Sequence, residues 1–237
     1  MFNFDRRTLF MILGIMVVMN VILGGRSIEG IIYALPGVIV AMTFHEFAHA
    51  WMATKLGDDT PRLQGRLNLN PMSHIDPVGI ICLALLGFGW GKPVQINSRN
   101  FDGKYSLSKA EAMVAAAGPA MNFIIAFIFL IIYGIIGYKV TTITSTTRVI
   151  SSIIVSIISV NIGLGVFNLI PIYPLDGSKV LNHFLPYKAR EWMMSNQTML
   201  TIIVFFVVFF TNLMSYISSY VLYGMAWLAD WILGLFI

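Results

Sequence analysis

The sequence predicts an all-α polytopic membrane protein with about five or six transmembrane helices, plus a re-entrant segment that could include a short β-strand. Three observations predict it. Hydrophobic residues make up 57% of the chain and charged residues only 11%, whereas soluble domains sit near about 45–50% apolar and about 25% charged. Apolar runs long enough to cross a bilayer, for which about 20 helical residues suffice, recur from end to end. The 15 lysines and arginines collect in the short stretches between those runs, as membrane topology demands. There is no internal repeat or low-complexity tract. The longest loops, about Gly57–Ser73 and Gly91–Lys109, are too short for an accessory module. Residues 1–237 therefore read as one membrane-embedded domain.

The first apolar run is about Leu9–Leu23. It follows Arg6-Arg7 and leads into Gly24-Gly25-Arg26 with no small-residue cleavage site, so it reads as a retained span and not a signal peptide. The second is about Ile31–Leu56, the third about Ala110–Tyr138 and the fourth about Val149–Ile170. A shorter apolar piece, Ile75–Trp90, is broken by Pro77, Gly79, Gly87 and Gly89. The tail, Thr198–Ile237, is interrupted by Thr211-Asn212 and Ser215, and could form two short spans or one span and an interfacial helix. The single cysteine, Cys82, permits no internal disulfide and reads as a small core hydrophobe.

The cations decide how Ile75–Trp90 is used. If it enters and leaves on one side, that side collects Arg6, Arg7, Lys55, Arg62, Arg66, Lys92, Arg99, Lys104, Lys109, Lys179, Lys188 and Arg190, and the other keeps only Arg26, Lys139 and Arg148. Twelve against three is a strong positive-inside bias, and it vanishes if the segment crosses. The segment is therefore expected to be re-entrant and the N-terminus cytoplasmic, in the cell membrane. Irregular backbone at membrane depth must line protein or a wet cavity. Residues 87–97 end in alternating character, which could give a short strand with a free edge. The modest net charge of +4 follows from topology and argues for a lipid bilayer as the partner surface, not nucleic acid.

The second run contains His45-Glu46-Phe47-Ala48-His49. On a helix, residues four apart share a face, and two imidazoles at that spacing can grip one tetrahedral zinc. Glu46, beside the first histidine, is then placed as general base for an attacking water. Ionisable groups in a span are expensive, which makes a chance match less credible here than in a soluble chain. Catalytic zinc sites use three protein ligands. The remaining candidates are His74, His183, Glu111, Asp76 and Asp176. Asp176 stands out, because Pro171 and Pro174 break the fourth run and let the chain fold back at membrane depth. The second and fourth runs both head inward, so Asp176 arrives from the same face as the histidines, whose cluster lies about 15 Å from the cytoplasmic end of its helix. His74 and His183 sit in polar loops and read as surface histidines.

His45-Glu46-x-x-His49 together with Asn168-x-x-Pro171-x-x-Pro174-Leu175-Asp176-Gly177 resembles the site-2 protease family of intramembrane zinc metalloproteases. Ala117-Gly118-Pro119-Ala-Met-Asn122 and Gly65-Arg66-Leu-Asn-Leu-Asn-Pro71-Met-Ser-His74-Ile-Asp76-Pro77 resemble it too, the latter as in short prokaryotic members without PDZ or CBS modules. The resemblance runs from about Gly37 to Leu181. It implies one Zn2+ held by His45, His49 and Asp176, with Glu46 as catalytic acid/base. It also implies a membrane-embedded protein as substrate and an active site nearer the cytoplasmic face. Asn168 and Asn122 could donate to the oxyanion or to substrate backbone. Asn168 could equally serve the carbonyls that Pro171 and Pro174 leave unpaired. A helical substrate must unwind before attack, and an edge near Val94–Asn97 could receive it by strand addition. Three other classes compete: a divalent-metal transporter, which would need no glutamate beside the first histidine; an inactive binder of membrane helices; and a metal-dependent hydrolase acting on lipid, which only the family resemblance excludes.

Overall fold

A computed structural model describes residues 28–79, 91–140 and 142–236. The first apolar run, and residues 80–90 of the re-entrant segment with Cys82, lie outside the described residues. The rest is all-helical, and among the described residues no strand forms. A single antiparallel bridge between Ile75 and Gly91 flanks the stretch expected to hold one.

Three long helices form the bundle: α1 (Ile28–Lys55), α4 (Leu107–Lys139) and α5 (Ser145–Asn168). Two short helices, α2 (Thr60–Leu63) and α3 (Pro71–His74), occupy the loop after α1. Past α5 come α6 (Asp176–Phe184), α7 (Tyr187–Ser195), α8 (Gln197–Phe210) and α9 (Leu213–Leu233). Among the described residues, α4 and α5 are each long and apolar enough to cross a membrane. A third crossing is available if α7 and α8, bent by 74°, form one broken span. The tail divides at Thr211-Asn212, where the sequence is polar. The apolar runs do not announce α6 and α7, because these are short, polar on average and nine residues each.

The long helices pack closely because their facing residues are small. Ala34, Ala41, Ala48, Ala50 and Ala53 of α1 are buried, as are Ala110, Ala112, Ala115 and Ala126 of α4. Without a hydrophobic drive between helices in lipid, such close van der Waals contact is what holds them together. Ala53 and Leu56 meet Ala110 and Val114 at the loop end, so α1 and α4 run antiparallel. Ala126 meets Ile154, Ile158, Ile162 and Val166, with Met214, Val221, Leu222 and Met225 of α9 covering them. The histidines of α1 lie between these two apolar clusters.

Candidate metal centre

His45 and His49 stand one turn apart on α1 and are 6% and 7% exposed. After α5 ends at Asn168, the chain turns through residues 169–175 and starts α6 at Asp176. A Cβ on Gly177 would lie 2.2 Å from the Leu169 carbonyl oxygen, so only glycine lets the chain double back tightly enough to aim Asp176 at α1. The carboxylate sits in the first turn of α6, where the helix dipole favours negative charge. A bond from the Thr201 hydroxyl to the Tyr173 carbonyl, 2.8 Å, ties this loop to α8.

The three side chains converge. His45 Nε2 and His49 Nε2 are 3.0 Å apart, and Asp176 Oδ2 lies 3.2 Å from the first and 3.1 Å from the second. A tetrahedral zinc with bonds of about 2.0–2.1 Å separates its ligand atoms by roughly 3.3 Å. The triangle therefore matches one ion and could hold it.

The hydrogen bonds behind the rings fix which atoms face the ion. His49 Nδ1 lies 2.7 Å from the Val114 carbonyl oxygen. A carbonyl only accepts, so Nδ1 carries the proton and Nε2 keeps its lone pair. His45 Nδ1 lies 2.7 Å from Asn122 Oδ1. The Asn122 amide cannot be turned round, because its Nδ2 donates to the Ala41 carbonyl and to Asn161 Oδ1, both at 3.0 Å. Asn161 is oriented in turn by donating to the Ile157 carbonyl at 2.8 Å. His45 Nδ1 is therefore the donor, and its Nε2 also presents a lone pair. With both rings neutral, three acceptors meet at this point, and among the described residues Asp176 Oδ2 is buried without a hydrogen-bond partner. Such a cluster is repulsive until a cation enters it. A ring N–H held from behind is also what keeps a ligating histidine in place.

Gly118 makes room for this arrangement. A Cβ there would stand 2.5 Å from His49 Nε2 and 2.6 Å from His45 Cε1. Glu46 lies beside the triangle, and its Oε2 accepts from the Val94 N–H at 2.9 Å.

The other candidates fall elsewhere. Asn122 is fully buried with both amide hydrogens committed, so it stands behind His45 and has no donor for an oxyanion, against the sequence expectation. Asn168 donates to Leu164 on its own helix at 3.1 Å, not to the carbonyls that the prolines free. His74 is 0% exposed and bonds the Asn68 carbonyl through Nε2 at 2.7 Å. It is an anchor inside the loop, not a surface histidine. His183 faces Ser108, and Glu111 accepts from Ser98, outside the triangle. Asp76 caps Val78 and Gly79. Asn161 belongs to none of the sequence motifs, although a lone asparagine in the apolar stretch of α5 is a usable signal.

Comparison with known proteins agrees with this chemistry. The sequence pattern of peptidase family M50 matches residues 134–213, which include Asp176. The chain is 39% identical over 186 residues to the Bacillus subtilis (strain 168) protein named "Putative zinc metalloprotease YwhC", covering 78% of this chain and 83% of that one. It is 25% identical over 209 residues to "Putative zinc metalloprotease Rip2" of Mycobacterium tuberculosis (strain H37Rv), covering 79% and 72%. A Rip2 from Mycolicibacterium smegmatis is 29% identical over 105 residues, covering 42% and 39%. No solved structure matches.

Proposed function

The chain is a zinc metalloprotease belonging to peptidase family M50, and from that premise we propose that it hydrolyses peptide bonds in or near transmembrane segments of membrane-anchored proteins. His45 Nε2, His49 Nε2 and the Asp176 carboxylate hold one zinc ion, and Glu46 is the general base and acid. The single observation that carries the reading is the triangle of His45 Nε2, His49 Nε2 and Asp176 Oδ2, 3.0–3.2 Å on a side, with both Nδ1 atoms turned to oxygens behind the rings. Zinc, when bound, supplies Lewis acidity for water and for the scissile carbonyl. The remaining work falls to the chain. Asn122 and Val114 hold the two rings by their Nδ1 protons. The Val94 N–H fixes one oxygen of Glu46, leaving the other free to take a proton from water and deliver it to the leaving amine. The second N–H of Asn168 would serve the substrate backbone.

Five or six spans, a re-entrant segment 75–90, a cytoplasmic N-terminus and a location in the cell membrane complete the proposal. It is supported by the cation distribution and by the apolar helices α4 and α5. The extended stretch Val94–Asn97 receives the unwound substrate by strand addition. Its Val94 and Asn97 N–H groups are already engaged, so pairing would use its carbonyls and the remaining N–H groups.

The test is Glu46→Gln in purified, reconstituted protein. Zinc should remain at one per chain, while cleavage of a synthetic membrane peptide is lost. Persistent cleavage would sink the proposal, and zinc flux across vesicles, unaltered by the substitution, would point to transport instead.

A further inference from the structure

Beyond the metal centre, the most completely satisfied buried charge is Asp58, three residues past the end of α1. It is 0% exposed. Its Oδ1 accepts from the Thr60 N–H, the Thr60 hydroxyl and the Asn100 amide. Among the described residues its Oδ2 accepts from one group, the Asn97 N–H, at 2.7 Å. Nearby, the Asp102 N–H donates to the Leu56 carbonyl at 2.8 Å. The loop 97–102 is thus laced to the C-terminal end of the helix that carries the histidines.

The same loop leads back to Glu46. Val94 is three residues before Asn97, about 10 Å along extended chain, and its N–H holds the Glu46 carboxylate. On the other side, the Lys92 N–H donates to the His74 carbonyl at 2.8 Å, and Gly91 bridges Ile75. The stretch 91–97 is therefore held at both ends, with the bond to Glu46 between them; within it, Gln64 donates to the Gln95 side chain at 3.1 Å and Ile96 packs on the cluster of Ala53, Leu56, Ala110 and Val114. The pin at 97 is a single carboxylate oxygen.

We propose that Asp58 is a positioning residue for Glu46: by holding the Asn97 N–H it sets the register of residues 94–97 and so fixes the carboxylate beside the metal centre. This rests on the reading of Glu46 as the general base. Asp58 touches neither the metal triangle nor the reacting atoms. Its carboxyl is held below the usual carboxylate range, since its donors outweigh the effect of burial, as expected of a charge kept for its hydrogen bonds.

Asp58→Asn tests the link with little change of volume. The carboxamide oxygen will turn to the side with three donors, leaving its NH2 group against the Asn97 N–H. Two donors then face each other, and the segment is released while Thr60 and Asn100 stay bound. In the reconstituted full chain, kcat on the membrane peptide should fall about tenfold with zinc still at one per chain. Amide exchange at Val94 and Asn97 should quicken about tenfold, with residues 45–56 unchanged. Asn100→Leu loosens Asp58 on its other oxygen and gives up a 3.4 Å bond from the Asn97 side chain, but leaves the Asn97 N–H on Asp58, and should keep kcat within about twofold. The proposal is overturned if Asp58→Asn leaves kcat and Val94 protection as in the parent. It is equally overturned if zinc is lost in step with kcat, or if Asn100→Leu costs as much. Failure of the protease reading would appear separately, as cleavage that survives Glu46→Gln, because the exchange measurement does not depend on catalysis.

Discussion

Gly118→Ala should abolish zinc binding while leaving α4 at least as helical. Glycine inside a helix costs about 1 kcal/mol relative to alanine, so helix propensity alone makes the substitution favourable. Crowding at the metal centre outweighs that gain. The new Cβ would lie 2.5 Å from His49 Nε2, 2.6 Å from His45 Cε1 and 2.7 Å from His49 Cε1, where ordinary contact begins at 3.4 Å. Both rings would have to retreat by up to about 0.9 Å, against a tolerance of about 0.2 Å in metal–ligand bonds. The helices cannot part instead, because Ala48, Ala53, Val114 and Ala115 are buried in the same interface. Zinc Kd should rise at least 100-fold, about 2.7 kcal/mol. Chelator competition measures it, with circular dichroism reporting that the helices persist. One tightly held zinc per Gly118→Ala chain would refute the reasoning.

Other outcomes follow from the same geometry. Asn122→Leu strips the Nδ1 partner from His45 and should weaken zinc binding about 10–100-fold. Asn161→Leu should weaken it less, and non-additively with Asn122→Leu, because it acts through Asn122; additive losses in competition titrations would break that chain. Chelation should lower the melting temperature of the parent, by the linkage that gives about 2.7 kcal/mol at a hundredfold excess over Kd. It should leave Asp176→Ala unmoved, and a chelator effect of parental size in that variant would count against Asp176 as a ligand. Asp58 has a folded pKa below its unfolded value. Its contribution to stability is therefore present above the unfolded pKa of about 3.9 and is lost as pH falls through the folded one. The melting gap between parent and Asp58→Asn should accordingly close in acid, and a constant gap would contradict the charge-based account.

What can be read from the sequence is what depends on local spacing. His45 and His49 must share a face because they are four apart, and Asp176 follows a chain reversal because Pro171 and Pro174 precede it. The small-residue face of α1 and α4 follows the helical period. What cannot be read depends on which groups meet through space. The sequence suggests that Asn122 donates outward, yet the Ala41 carbonyl and Asn161 take both its hydrogens, and its oxygen is left for His45. Nothing near Asn122 in sequence says that a residue 39 positions away supplies an acceptor. His74 reads as exposed because its neighbours are polar, but those neighbours fold over it, and the Asn68 carbonyl receives its ring. Asp58 sits among loop residues with no motif, and its role depends on a loop that returns 39 residues later.

The burial of so many polar groups among apolar helices follows one rule. An unpaired polar group in hydrocarbon costs several kcal/mol, and around the histidines the asparagine side chains have their hydrogen bonds completed by other buried groups. The series from Ile157 through Asn161 and Asn122 to His45 does this one donor and one acceptor at a time. It begins at a carbonyl and ends at a lone pair. His49 makes the same conversion in a single bond to Val114. Both routes leave the surplus acceptor on the same point, where Asp176 adds a third. Hydrogen-bonding capacity that is completed elsewhere in the trio is thus left over at one place, where a metal ion can take it up. The orientation of two asparagine amides on α4 and α5 is therefore as much a part of the zinc site as the histidine spacing on α1.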